Sequence, residues 1–256
     1  MAFRVLLLGA TGTIGRATAA ALLKAGNHVT CVVRPEADMT GLDEATILDS
    51  QVDNEEALRT EVFAGRRFDA VISCLASRTG APKDARAIDY QANSTVLKLA
   101  AEHGVSHFVL LSAICVQKPK LAFQAAKLSF EAELQVAPLT WSIVRPTAYF
   151  KSLSGQVERV KAGKPFMVFG DGRLTACKPI SNEDLAKYIV TCLTDPERQN
   201  RVLPIGGPGP ALTPLDQAEI LFRHLGRAPE IRHVPIALIS GIGGVLGGLS
   251  KIIPPL

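Results

Sequence analysis

Three glycines, Gly9, Gly12 and Gly15, follow the apolar run Val5 to Leu8 and open an Ala/Leu-rich stretch with helical periodicity. Glycine at this spacing allows a turn whose dihedrals a Cβ would forbid, and lets backbone N–H groups come close to an anion. The chemistry expected of Gly9, Thr11, Gly12, Thr13, Ile14 and Gly15 is therefore to cradle a diphosphate at a helix N-terminus. A second apolar run, His28 to Val33, ends on Arg34, where a site for a free ribose would carry an acid. Arginine there favours a 2′-phosphate, so Arg34 is the expected reader of NADPH and Arg16 a weaker second. Asp49, after the short run Thr46 to Leu48, falls beneath the adenine in this arrangement, where it either bonds the base or closes a turn.

These residues need a frame that sets them along one edge. Apolar runs at Asp69 to Cys74, His107 to Leu111 and Thr140 to Val144 alternate with helical patterns at Asn54 to Phe63, Ala87 to His103 and Leu121 to Val136. The alternation predicts an α/β chain: a doubly wound parallel-sheet NAD(P)-binding Rossmann fold over residues 1–150, with a smaller C-terminal substrate lobe over 151–256 that returns elements to the first domain. A strand and turn at Pro165 to Arg173, a helix capped at Ser181, a strand at Val202 to Ile205 and a helix from Thr213 to Leu225 are assigned to that second part. Its expected task is to cover the substrate.

Composition narrows the partners. Twenty-eight Lys and Arg against 24 Asp and Glu leave a net charge of +4, too mild and dispersed for nucleic acid and suited to an anionic small molecule. The chain is 47% hydrophobic, yet its apolar runs are too short for a transmembrane segment, and the first ends inside the glycine turn, so no secretory leader is expected. Five scattered cysteines without metal spacing point to reduced thiols in the cytoplasm and to no metal site. The apolar, glycine-rich segment Pro235 to Leu249 is open to three readings: a packing helix, a wall of an apolar pocket, or a weak membrane contact. Oligomeric state is not encoded in any of these patterns.

Ser112 ends the strand His107 to Leu111, and Lys127 lies on the helix that follows. In short-chain dehydrogenases a serine at that point precedes Tyr-x-x-x-Lys, in which the tyrosine exchanges a proton with substrate and the lysine binds the nicotinamide ribose. Here the stretch reads Phe123-Gln-Ala-Ala-Lys127. Residues four apart share a helix face, so Lys127 can still point into the cleft, whereas Phe123 has no acidic proton to give. Carbonyl–alcohol exchange by that route is not expected. The segment Arg145 to Phe150 closes the next strand and should pass the nicotinamide, which makes Pro146 a cofactor contact and Tyr149 a pocket residue.

Several stretches together resemble the NADPH-dependent 3,8-divinyl chlorophyllide 8-vinyl reductases, atypical short-chain dehydrogenases. They are Gly9 to Gly15, Leu110 to Pro119, Lys127 to Glu133, Ser142 to Thr147 with Phe150 to Gln156, and Ala176 to Ser181, and the likeness runs to about residue 230. The first marks only the superfamily; the later ones are more specific. Members of that family continue past this chain's end, so a short or truncated form is expected. The resemblance implies that NADPH reduces the 8-vinyl group of divinyl chlorophyllide a, or of its protochlorophyllide precursor, to ethyl in chlorophyll or bacteriochlorophyll synthesis. Lys127 would then position the ribose and supply or relay a proton, with Tyr149 or water as alternatives, and Arg78, Lys118, Lys120 or Lys151 would meet the substrate propionate. Two other readings stand beside it: a non-catalytic NADP(H)-sensing regulator or assembly factor, and an isoflavone-reductase-like reductase of another conjugated alkene.

Overall fold

The computed structural model describes residues 2–237. Most of the apolar stretch from Pro235 to Leu249, with its three readings, lies outside the described residues. The chain divides into two units, one of residues 2–147 and 180–207, the other of residues 148–179 and 208–237. Its strands are β1 (Arg4–Leu8), β2 (His28–Val33), β3 (Thr46–Asp49), β4 (Ala70–Ser73), β5 (His107–Leu111), β6 (Thr140–Pro146), β7 (Phe166–Phe169), β8 (Arg201–Ile205) and β9 (Ile231–Val234).

The first unit holds a seven-stranded sheet in the order β3-β2-β1-β4-β5-β6-β8, with every pair parallel. It is the doubly wound Rossmann-like arrangement expected from the alternation. Strands covered on both faces must be apolar at successive positions, and Val5 to Leu8, Ala70 to Ile72 and Phe108 to Val109 are all fully buried. Because the strands are parallel, their carboxyl ends meet along one edge, which is where ligands bind in open α/β sheets.

Helix α1 (Thr13–Lys24) begins within the glycine turn and buries Ile14, Thr18, Ala19 and Leu22. The helical run after β4 starts earlier than its periodicity suggests. Pro82 takes the first helical position, Asp84 accepts hydrogen bonds from the backbone and hydroxyl of Thr79 at 2.8 and 2.7 Å, and the run continues as a wider π-helix over Ala85–Ala92 before returning to α-helix over Asn93–Glu102. Residues 55–63 likewise run from a short α-helical turn, Glu55–Ala57, into π-helix over Leu58–Phe63. The helix over Ala122–Gln135 agrees with its sequence pattern to within a residue at each end.

The assignment of Val202 to Ile205 to the smaller lobe is corrected by the structure. That segment is β8, an edge strand beside β6 in the large sheet, where Pro204 can sit without removing a ladder donor from a central strand. Asn200, at φ 53°, makes the entry turn: its N–H donates to Trp141 O at 2.6 Å and its side chain accepts from the Trp141 N–H at 3.2 Å. The helix Asn182–Thr191, capped by Ser181 as expected, also belongs to this unit and packs on α1.

The second unit pairs β7 with β9 in parallel and covers them with the helix Pro214–His224. Val160, Phe166, Val168, Ala218 and Phe222 form its core. Thr213 and Asp216 cap that helix reciprocally.

Candidate cofactor and active site

The turn between β1 and α1 is built around its glycines. Gly9 has φ 72°, and a Cβ there would lie 2.6 Å from the Cys74 carbonyl oxygen beyond β4. A Cβ on Gly15 would lie 2.0 Å from Gly9 O, so α1 can pack onto the turn only with glycine at that position. Gly12 donates to Gly9 O at 3.0 Å and caps α1 without placing a side chain over the helix end. Thr13 is the first residue of α1, and Ile14 is buried, which leaves Ile14 its backbone N–H to offer a ligand.

A cleft of about 400 Å³ opens beside this turn, and Thr11, Gly12, Arg34, Leu75, Arg78 and Ile88 are among its lining. It brings together Arg34 from the end of β2, Arg78 from the loop after β4, and the glycines. Arg16 is engaged beside the cleft: its guanidinium donates to Thr11 O, Thr40 O and both the backbone and carboxylate oxygens of Asp38, tying down the loop after β2. Thr40 first, then Arg16, hold the Asp38 carboxyl below the usual carboxylate range. Asp49 is exposed at the end of β3, and its neighbour Ser50 is buried with no hydrogen-bond partner for Oγ. Cys74 also lines the cleft, but burial pushes its thiol up to about 12, which keeps it protonated and unreactive. A dinucleotide fits this edge: Gly9, Thr11 and Gly12 line the cleft where α1 begins, and the cations Arg34 and Arg78 line it with them.

The lysine helix begins where the Gln124 side chain accepts from the backbone N–H groups of Lys120 and Leu121, at 2.7 and 3.0 Å. From there Gln124, Lys127, Phe130, Glu131 and Leu134 turn inward. Lys127 is only 6% exposed; its ammonium donates to Leu75 O at 3.1 Å and pairs with Asp89 at 3.1 Å. Phe123, half-buried, lies against the loop after β4, with its Cδ1 3.6 Å from where a Gly80 Cβ would be. One turn further along, Glu131 is fully buried, accepts from Ser112 Oγ, and forms a fork with the Arg145 guanidinium, whose Nε lies 3.2 and 3.1 Å from its two oxygens. Ser112 is therefore engaged at both ends, its N–H donating to Val144 O at 2.8 Å.

Pro146 ends β6 opposite Ile205 and is buried. Tyr149 belongs to the second unit, where it precedes the short helix Phe150–Leu153 and accepts from the Ser152 N–H at 2.8 Å. Of the cations proposed for a propionate, Arg78 lines the dinucleotide cleft, Lys118 and Lys120 are exposed in the segment before the lysine helix, and Lys151 belongs to the second unit. Asp89, Glu131 and Arg145 had not been singled out from sequence. The available signal was charge on an inward helical face: Asp89 falls between Ala85 and Ala92, and Glu131 between Phe130 and Leu134.

Residues 9–196 match the model of a family described as NAD(P)H-binding. The chain belongs to that NAD(P)H-binding family, and its parallel sheet and glycine turn make it a protein that takes a nicotinamide dinucleotide. Within that class it is similar to the chloroplastic divinyl chlorophyllide a 8-vinyl-reductases of Arabidopsis thaliana, at 49% identity, and of Zea mays, at 48%. Each match covers 98% of this chain and 64% or 67% of the relative, so the chain spans about two thirds of the length of these proteins. Among solved structures, UDP-glucose 4-epimerase from Thermotoga maritima shares the fold with a TM-score of 0.79 at 19% identity, covering 91% of this chain and 85% of that one. Among the described residues no helix is long and apolar enough to cross a membrane.

Proposed function

We propose that this chain reduces the 8-vinyl group of divinyl chlorophyllide a, or of divinyl protochlorophyllide, to ethyl with hydride from NADPH. The observation that carries this reading is the 49% and 48% identity, over 98% of the chain, to proteins named for that reaction. The site supports it in detail. Arg34, rather than an acid, follows the last residue of β2 and lines the cleft, which favours NADPH over NADH. Arg16 is spent on the Asp38–Thr40 loop, and this leaves the phosphate to Arg34 with Arg78 beside it.

NADPH bound at the turn supplies the hydride; the chain's own residues hold it and manage the proton. The first turn of α1 receives the diphosphate. Lys127 donates one N–H to Leu75 O and is paired in charge with Asp89, and with three N–H donors an ammonium can still meet a ribose hydroxyl. Hydride addition to a vinyl group conjugated with a tetrapyrrole leaves charge spread over the ring and asks for a proton on carbon. No alkoxide forms, so phenylalanine at 123 is compatible with the reaction. Lys127 is the proposed proton source or relay, with the Tyr149 phenol or water as the alternatives. Lys118, Lys120 and Lys151 remain the proposed partners of the propionate. The five cysteines are free thiols, in keeping with a reducing compartment, whether cytoplasm or the chloroplast interior of the plant relatives.

Purified protein incubated with divinyl chlorophyllide a and either NADPH or NADH tests the reading, with the monovinyl product followed by chromatography. Conversion with NADPH is the expected result. Tight NADPH binding without conversion would overturn it in favour of a sensor. Lys127→Met should lower turnover by about a hundredfold at saturating NADPH, and a normal rate would remove Lys127 from the chemistry.

A further inference from the structure

Asp89 is 1% exposed, and its carboxylate touches the Lys127 ammonium at 3.1 Å. It sits in the π-helical stretch Ala85–Ala92, a wider turn of the kind that recurs at functional sites. Asn93 fastens this stretch to the sheet. Its amide donates to Ile88 O at 3.1 Å and Asp89 O at 3.2 Å, while its own oxygen accepts from Ser73 Oγ, at the end of β4, at 2.6 Å. The carboxylate oxygens of Asp89 also lie 3.4 Å from the Ser77 N–H in the loop after β4. Asp89 is thus fastened to the sheet edge through Asn93 and Ser73, and Lys127 is fastened to Asp89.

From this we propose that Asp89 is a positioning residue for the dinucleotide, acting through Lys127 on its nicotinamide half. The physical reason is the geometry of a long, flexible side chain. A lysine carries four rotatable bonds, and in a site nearly closed to water it keeps one direction only where buried acceptors define it. The Leu75 carbonyl supplies one such acceptor and Asp89 the charged one. The inference rests on the reading of Lys127 as a ribose ligand, and it does not depend on which alkene is reduced.

The test compares Asp89→Asn and Asp89→Glu with the unaltered chain by equilibrium binding of NADPH and of adenosine 2′,5′-bisphosphate, which lacks the nicotinamide half. Asp89→Asn keeps the shape and loses the charge. It should weaken NADPH binding by about tenfold to a hundredfold, leave the bisphosphate affinity unchanged, and be partly restored by Asp89→Glu. Equal loss for both ligands would mean that Asp89 merely supports the fold, and no loss for either would overturn the proposal outright. An unaltered chain that binds NADPH with this discrimination and yet turns over no divinyl chlorophyllide a would count against the reductase reading alone.

Discussion

At the scale of single residues, the site is a matter of which cation is free and which is spent. Arg34 and Arg16 are both near the phosphate edge in sequence terms, but Arg16 is consumed by the loop it closes, with Nη2 2.9 Å from the Asp38 carboxylate. Arg34 lines the cleft, exposed. Arg34→Ser is therefore expected to weaken NADPH binding by about tenfold to a hundredfold, the worth of a charge-assisted hydrogen bond, and to leave NADH unaffected. Titrating both cofactors against the variant by fluorescence checks this; equal loss for the two would take the 2′-phosphate away from Arg34. The glycines were legible from sequence alone because their reason is local: a positive φ at Gly9 and a helix packed onto the turn at Gly15 admit nothing larger. Asp89, Glu131 and Arg145 were not, because each owes its role to a partner on another element, 38, 14 and 14 residues away respectively in the pairs Lys127–Asp89 and Arg145–Glu131.

Elements come next, and here the lysine helix is the informative one. Lys127 and Glu131 share its inner face, yet each is claimed from a different side, Lys127 by Asp89 and Glu131 by Arg145 on β6. A buried pair adds little net stability when intact, but losing one partner strands the other charge. Glu131→Gln is expected to destabilise the fold by about 3 to 5 kcal/mol, since it strips the Arg145 guanidinium of its counter-charge in a buried setting. Adding Arg145→Met to that variant should recover part of the loss. Urea unfolding of the two single variants and the double variant reads this directly, and a double variant no better than Glu131→Gln would show that the pair is not the source. The helix itself was readable to within a residue from its periodicity, because inward and outward positions alternate with the helical repeat whatever the inward residues bond to. The π-helical widening at Ala85–Ala92 was not, and the contact that fastens it to the sheet, between the Asn93 and Ser73 side chains, joins residues 20 apart.

For the whole molecule, pH couples to stability through a buried histidine. His107, at the start of β5, faces the Ser142 hydroxyl at 3.0 Å, and that hydroxyl donates to Arg198 O at 2.7 Å. Ser142 therefore accepts from His107, and the imidazole carries its proton on Nε2. Burial depresses the His107 pKa to about 4. With the folded value below the unfolded one, the unfolded chain takes up a proton that the folded chain refuses as pH falls. Stability from this group is whole above about pH 6.5, declines down to about pH 4 and is flat below, with a ceiling of about 3 kcal/mol. Unfolding midpoints measured at pH 7.5 and 5 should differ for the natural chain and differ less for His107→Gln; equal slopes would show that other groups set the acid response. What the linear order of residues decides about this protein is the succession of strands, the glycine turn, the basic end of β2 and the lysine without its tyrosine, all of which depend on neighbours a few positions apart. What only the tertiary structure decides is that Val202 to Ile205 joins the large sheet, that Arg16 is occupied while Arg34 lines the cleft, and that Lys127 and Glu131 meet buried partners on other elements. Strand partners and buried charges are chosen by contacts across the fold, and a repeat pattern that records only which side faces inward cannot name what waits there.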